Sequence, residues 1–393
     1  MLRLLDLTRL VSRQGRGPLT GIDRVEYAYL THLLGLEDPL FGLVRTRLGY
    51  VLLDREGCAG LAARVRGDIA LGKADLIGRL IHRSNPMRAR AEADIRRMAK
   101  ARTARPFLRQ MLRRLAGGSY LNTGHANLTD HNLAAIRAAG LQVAVLVHDT
   151  IPLDHPEFAR PGTVTPFRAK MAAVARHADL VIHSTHDARA KTDAQLHRLG
   201  RVPPGIVAAL GVPVPVPGNL PKGIPLDRAY FVTVGTIEPR KNHALLLDIW
   251  DKLGPDAPCL FIVGRRGWAD ASILARLDRL PPDGPVRVLS GLDDSAVAAL
   301  LEKSCALLFP SLAEGFGLPP VEAAALGVPV VASNLAVIRE ILGEFAVYLD
   351  VTDSYSWMET INKLATAAHQ GAARNRIKPP NWADHFKTVL TRL

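Results

Sequence analysis

Short apolar runs alternate with stretches of helical periodicity along this chain, and the alternation starts twice. Leu2–Leu7 reads as an opening strand, and Ile22, Val25, Tyr29 and Leu33 then share one helical face behind a Thr20/Asp23 capping box. Strand-like runs follow at Leu40–Val44, Tyr50–Leu53, Tyr120–Leu121, Gln142–Val147, Ala178–Ile182 and Ile206–Leu210. Asp130–Ala139 and the polar stretch ending at Leu199 read as helices between them. The second half repeats the scheme, with strands at Ala229–Val234, Cys259–Val263 and Val286–Leu289 and helices at His243–Leu253 and Ser295–Lys303. Strands alternating with helices predict parallel, doubly wound α/β sheets. Residues 212–227 hold five prolines and few helix signals, so they read as a linker between a domain at 1–211 and a second at 228–379. A last helix is read within 380–393.

The stretch Ala306–Asn334 carries the densest chemistry. An apolar run, Ala306–Phe309, leads into a turn-rich loop with Gly315 and Gly317. Pro320 suits the first turn of a helix, Gly327 its C-terminal cap, and Val328–Ala332 the next strand. Glu314 precedes the glycines, and Glu322 is expected in the first helical turn. A carboxylate accepts two sugar hydroxyls, and free N–H groups of the loop favour anions, so a nucleotide sugar meets both demands. Taken alone, the two glutamates read equally as a solvated loop charge and a charge favoured by the helix dipole.

A second informative segment, Gly235-Thr-Ile-Glu-Pro-Arg-Lys-Asn242, follows a strand directly, with Asn242 a suitable N-cap for the helix beyond. Arg240 and Lys241 at a helix start could take a diphosphate, or could be a solvated pair. His148 ends the buried run Gln142–Val147, and the carboxyl end of such a strand faces a ligand crevice. His125, His183 and His186 lie near other strand ends and rank lower.

The stretch P-S-x-x-E-G-F-G-L-P-P-x-E-A, followed by G-x-P-V-V-A-S-N and Arg339-Glu340, resembles the E-x7-E signature of retaining glycosyltransferases of the GT-B fold, family 4. The segment G-T-x-E-P-R-K-N resembles the same family's phosphate-binding loop, although some relatives carry an arginine where this chain has Thr236. The resemblance implies two Rossmann-like domains facing across a cleft, with the last helix, within 380–393, packing back on the first. It implies a donor site formed by Gly235, Arg240, Lys241, Gly264, Glu314, Gly315, Phe316, Gly317, Leu318 and Glu322, approached by the glycine loop at Gly21. Glu314 would hold sugar hydroxyls, Glu322 the ribose, Arg240 and Lys241 the leaving diphosphate, and His148 the transferred sugar. Together with H-D-x-I-P-L-x-x-P-E from His148, the motifs look most like mannosyl- and rhamnosyltransferases of surface-polysaccharide assembly. GDP-mannose is the first expectation for the donor, with a UDP-sugar or dTDP-rhamnose second. No D-x-D pair occurs in the sequence, and no metal or other cofactor is expected.

Charge changes the picture in one place. Of a formal net charge of +13, Arg79–Arg114 supplies +10, with twelve Lys or Arg against Glu92 and Asp94. This is the heart of a basic helical segment at 55–118. Met87, Ala91, Ile95 and Met98 mark one apolar stripe, and Leu108, Met111, Leu112 and Leu115 another. These are either surface helices seated on the domain or a docking surface for anionic lipid, suited to a glycan acceptor carried on a membrane lipid. The three cysteines have no metal-ligand spacing, no apolar run nears ~20 residues, and the N-terminus lacks a signal-peptide core. A cytoplasmic protein, peripheral at the inner membrane, is the resulting expectation. Two alternatives stay open: a nucleotide-sugar epimerase of the same fold, and a basic nucleic-acid-binding protein. The latter is disfavoured because the charge is not interleaved with aromatics, and no nucleic-acid partner is expected.

Overall fold

A computed structural model describes residues 1–17, 19–224, 228–368 and 375–393. Positions 225–227 of the predicted linker and 369–374 of the predicted second domain lie outside the described residues. Strands such as Gln142–Val147 are apolar on both faces, which is stable only where helices cover both sides of a sheet. Among the described residues, eight strands form the first sheet. They are β1 (Arg3–Asp6), β2 (Leu40–Thr46), β3 (Gly49–Leu53), β4 (Ala101–Thr103), β5 (Ser119–Asn122), β6 (Gln142–Val147), β7 (Leu180–His183) and β8 (Gly205–Val207). Their order is β4-β3-β2-β1-β5-β6-β7-β8. From β2 to β8 the pairing is parallel, as a doubly wound sheet requires.

One edge departs from the expected all-parallel sheet, because β3 runs antiparallel to β2 and β4 antiparallel to β3. Only Arg47 and Leu48 separate β2 from β3, and so short a connection makes a hairpin, never a crossover. A second departure lies just after β1, where Thr8–Arg13 is a short helix and not a loop. The capping box behind the next helix, Gly21–Leu34, is present: the Thr20 amide donates to Asp23 at 2.9 Å.

The second sheet holds β9 (Tyr230–Val234), β10 (Cys259–Val263), β11 (Val286–Leu289), β12 (Ala306–Phe309), β13 (Val330–Ser333) and β14 (Val347–Leu349). Its order is β11-β10-β9-β12-β13-β14, parallel throughout. Each sheet reverses its strand order at its own first strand, β1 or β9, and ligand crevices open beyond the carboxyl ends there. The helix Trp382–Leu390 packs on Gly21–Leu34 of the first domain. The Tyr29 hydroxyl meets His385 Nε2 at 2.7 Å, and Phe386 stacks on His32 with ring centroids 3.8 Å apart. At the crossing, the Val212 amide donates to the Pro380 carbonyl at 2.8 Å.

The basic segment is largely braced from within. Ala91, Ile95, Leu108, Leu112 and Leu115 are buried, so both apolar stripes seat the segment on the domain and are not free to meet a lipid surface. Arg88 pairs with Glu92 at 2.7 Å, Arg96 with Asp75 at 2.6 Å and Arg97 with Asp94 at 2.7 Å. Arg90 and Arg109 donate to backbone carbonyls. Arg79 and Arg83 remain exposed, Arg79 within and Arg83 just beyond a different apolar element, the helix Leu76–Ile81, where Leu76 is 77%, Ile77 47% and Leu80 63% exposed. Among the described residues, no helix is long and apolar enough to cross a membrane.

Candidate active site

The loops that end β9, β10 and β12 meet at one point. Gly264 is forced by contact: a Cβ there would stand 1.9 Å from the Gly235 carbonyl oxygen, so β10 can approach the Gly235 loop only without a side chain. Beyond Gly235, a single turn at Pro239–Lys241 carries the two cations, and Asn242 follows in the left-handed region with φ 51°. Asn242 stands at the N-cap position of His243–Leu253, but its side chain makes no cap hydrogen bond, because the left-handed backbone turns it away from the usual capping geometry. Asparagine tolerates that conformation better than most residues.

Glu314 receives both cations. Lys241 Nζ lies 2.5 Å from Oε1 and Arg240 Nη1 2.8 Å from Oε2, while Arg240 Nε reaches Glu238 at 2.5 Å. Arg240 also donates to the Ala313 carbonyl at 3.0 Å, and Lys241 stacks over Phe309. Burial opposes the Glu314 charge, but Arg240 and Lys241 outweigh it and draw its pKa down to about 2. Burial lowers the Lys241 pKa, an effect Glu314 only partly offsets. Burial also works against the Arg240 charge, and Glu314, Glu238 and Asp149 together hold its pKa above the ordinary value. Burial raises Glu238 despite Arg240. The cluster is thus close to charge balance, and an incoming diphosphate must share donors of Arg240 and Lys241 with these carboxylates. Arg240 has five N–H donors, enough to serve both.

Across the cleft stands the end of β6. Gly315 meets it so closely that a Cβ would lie 2.6 Å from the His148 carbonyl oxygen and 2.9 Å from Asp149 Cβ. His148 is buried, and its Nε2 lies 2.7 Å from the Thr123 carbonyl. A carbonyl only accepts, so Nε2 carries the proton and Nδ1 is left as an acceptor. Burial lowers the His148 pKa to about 4, which keeps the ring neutral near pH 7. The neighbouring loop holds His125 and Asn127, both buried and both at positive φ. Such backbone strain clusters at functional sites. His125 stacks obliquely on His148, with centroids 5.1 Å apart. His183 is buried under β8, and exposed His186 offers its amide to Glu340 of the other domain at 2.7 Å. Neither joins the cluster.

The helix after Gly317 begins at Leu318, so Glu322 stands in the second turn and not the first, as Pro319 and Pro320 occupy the earlier positions. Gly317, at φ 95°, turns the chain into that helix, and a Cβ there would meet Ile338 Cδ1 at 2.5 Å. Phe316 is buried beneath the loop. A Cβ on Gly21 would stand 3.2 Å from Leu318 Cδ1, so the two glycine loops face each other. Three charged side chains at this site were given no role by the sequence reading. Arg24 pairs with Glu322 at 2.6 Å, Glu238 braces Arg240, and Asp149 lies against Gly315. Glu238 and Asp149 lie inside motifs already singled out, and Arg24 stands three residues beyond Gly21; that nearness was the available signal.

With the geometry in place, comparisons with known proteins add the following. Residues 221–379 match the family model described as Glycosyl transferases group 1. The serotype-specific mannosyltransferase WbdA of Escherichia coli is 33% identical over 234 residues, covering 54% of this chain and 28% of that protein. The O-antigen chain mannosyltransferase RfbU of Salmonella typhimurium is 34% identical over 137 residues, covering 34% and 38%. The chain thus spans little more than a quarter of the length of WbdA. Among solved structures, Anabaena Alr3699/HepE in complex with UDP and glucose superimposes with a TM-score of 0.60 at 15% identity, covering 100% of this chain and 99% of that one. The fold is therefore GT-B: two Rossmann-like α/β domains facing across a cleft.

Proposed function

We propose that this chain is a retaining, metal-independent glycosyltransferase that moves mannose from GDP-mannose onto a growing bacterial surface glycan. The observation that carries the reading is the buried Glu314–Arg240–Lys241 cluster set against His148 across the Gly315 contact. Arg240 and Lys241 stabilise the negative charge that grows on the departing diphosphate. Glu314, ionised and fixed by both cations, accepts hydrogen bonds from sugar hydroxyls, and Nδ1 of neutral His148 accepts another. Glu322 takes the ribose hydroxyls. The bond from the anomeric carbon to the phosphate oxygen breaks, the acceptor oxygen attacks on the same face, and the leaving phosphate takes the acceptor proton. The protein's main contribution is to hold two substrates in line and to balance charge.

The mannosyltransferase names of WbdA and RfbU support the sugar, and the E-x7-E resemblance supports retention. The absence of a D-x-D pair from the sequence supports charge stabilisation by Arg240 and Lys241 instead of a metal. The acceptor fits a lipid-linked glycan at an anionic membrane surface, approached through the exposed Leu76–Ile81 helix with its Arg79 and the nearby Arg83. Two measurements test the reading. Thermal stabilisation by GDP and not UDP supports the mannose donor, and the reverse moves the assignment to a UDP-sugar. Proton NMR of the first-formed product gives the anomeric configuration, and inversion would overturn the mechanism.

A further inference from the structure

The two domains are joined by charge at a point where neutral residues otherwise prevail. A cavity of about 410 Å³ lies between the helix Gly21–Leu34, the linker at Leu210–Pro215 and two helices of the second domain, Asp294–Glu302 and Leu318–Ala325. Among its described lining residues only Arg24, Asp294 and Glu322 are charged, and Arg24 pairs with both acids. Arg24 Nη1 lies 2.6 Å from Glu322 Oε1, and Nη2 lies 2.6 Å from Asp294 Oδ1. One guanidinium from the first domain therefore bridges two helices of the second, and it engages a single oxygen of Glu322. The fork of arginine suits this, since its two terminal nitrogens point at separate acceptors in a fixed plane.

We propose that Arg24 is a positioning residue for the donor ribose: it fixes the Glu322 carboxylate from across the cleft so that Oε2 stays open to the ribose hydroxyls. The inference rests on reading Glu322 as the ribose carboxylate and adds what holds it there. Three features argue for support over competition. Arg24 is anchored independently by Asp294, so it does not need Glu322 to stay in place. An oxygen of a carboxylate accepts more than one hydrogen bond, so Oε1 can serve Arg24 and a hydroxyl together. Without Arg24, Glu322 and Asp294 would face the same cavity as two unneutralised carboxylates beside an incoming polyphosphate. Arg24 is thus a contribution of the first domain to a donor site otherwise built largely by the second.

Calorimetry on the full chain tests this. The titrants are the nucleoside diphosphate that stabilises the wild type, GDP or UDP, and its 2′,3′-dideoxy form. Arg24→Ala is expected to weaken the ribonucleotide by about tenfold, the equivalent of one charge-assisted hydrogen bond, and to leave the dideoxy form within about twofold. Arg24→Lys, which keeps the charge but cannot bridge both carboxylates, should fall between and serves as the readout if the alanine variant does not fold. Equal losses on both titrants would make Arg24 merely structural. Unchanged or tighter ribonucleotide binding would make it a bystander or a competitor, and either result overturns the proposal. Glu322→Gln, run alongside, separates the two levels. If it leaves the gap between ribo and dideoxy titrants intact, the ribose role of Glu322 itself fails. If it closes the gap and Arg24→Ala does not, only the positioning role fails.

Discussion

Gly315→Ala adds one methyl group where the second domain's loop comes close to the end of β6. The backbone at Gly315 lies outside the left-handed region, so the substitution costs nothing in φ and acts through space alone. The new Cβ would stand 2.6 Å from the His148 carbonyl oxygen, where ordinary contact begins at 3.4 Å. The cleft must therefore open by roughly 0.8 Å at this point, or the β6 end must retreat by as much. If the domains instead stay closed, overpacking costs about 1–3 kcal/mol of stability. A displacement near 1 Å between reacting groups costs about 10²-fold in rate. The donor pocket is drawn mainly from the second domain, and the flexible Arg24 side chain can follow Glu322 over so small a shift, so nucleotide binding should be largely spared. The assay is steady-state sugar transfer together with nucleotide calorimetry: kcat should fall about a hundredfold while nucleotide affinity changes by less than about threefold. Transfer at the wild-type rate would show that the Gly315–His148 approach does not set the reacting geometry.

Lys241→Ala removes a cation from Glu314 but leaves Arg240 in place, so unfolding free energy should fall by about 1–3 kcal/mol, less than for a fully orphaned buried charge, while turnover falls by 10²-fold or more on the order of other lost charge-stabilising donors. Denaturant melts alongside rate measurements check both halves, and native turnover would remove Lys241 from the site. His183 is buried with neither ring nitrogen hydrogen-bonded, and burial lowers its pKa to about 4. Its unfolded value is near 6.5, so the stability of the neutral form is fully present above pH 6.5 and is lost as pH falls toward 4, at up to about 1.4 kcal/mol per unit. His183→Leu should therefore flatten the pH dependence of urea unfolding between pH 6.5 and 4, and an unchanged slope would contradict neutral burial. Leu76→Ser with Leu80→Ser should reduce co-sedimentation with anionic vesicles at low salt, and equal binding of wild type and variant would exclude that helix as the lipid contact.

Legibility followed the range over which each feature is encoded. Around Glu314 the code is local: apolar β12 is followed by glycines, Pro320 lies in the first helical turn, and Gly327 adopts φ 78° just past the helix end. Those residues dictate their own conformations, so the unit from Ala306 to Ser333 could be read in order. Between β3 and β5 the code is not local. Ala101–Thr103 has no strand signal of its own and is extended because β3 pairs with it. The six-residue helix Thr8–Arg13 is too short for a periodic pattern to register. The site divides in the same way. Arg240 and Lys241 were visible in their motif, but their pairing with Glu314 spans 73 positions, and that of Arg24 with Glu322 spans 298. Contacts so distant leave no trace in spacing, and only the folded chain brings them together.

The return of the chain to the first domain bears on how the molecule can move. A single tether between two bodies is a swivel, free to twist and tilt in any direction. Here the polypeptide crosses twice, and the crossings lie side by side, stitched by the Val212 amide to the Pro380 carbonyl. Two adjacent attachments define a line, and rotation about that line is the motion they resist least. Trp382, set against Gly211 so tightly that a Cβ there would stand 2.4 Å from its ring, fills the space through which a sideways slip would have to pass. The two crossings thereby favour a door-like opening of the cleft about that line over twisting or tilting.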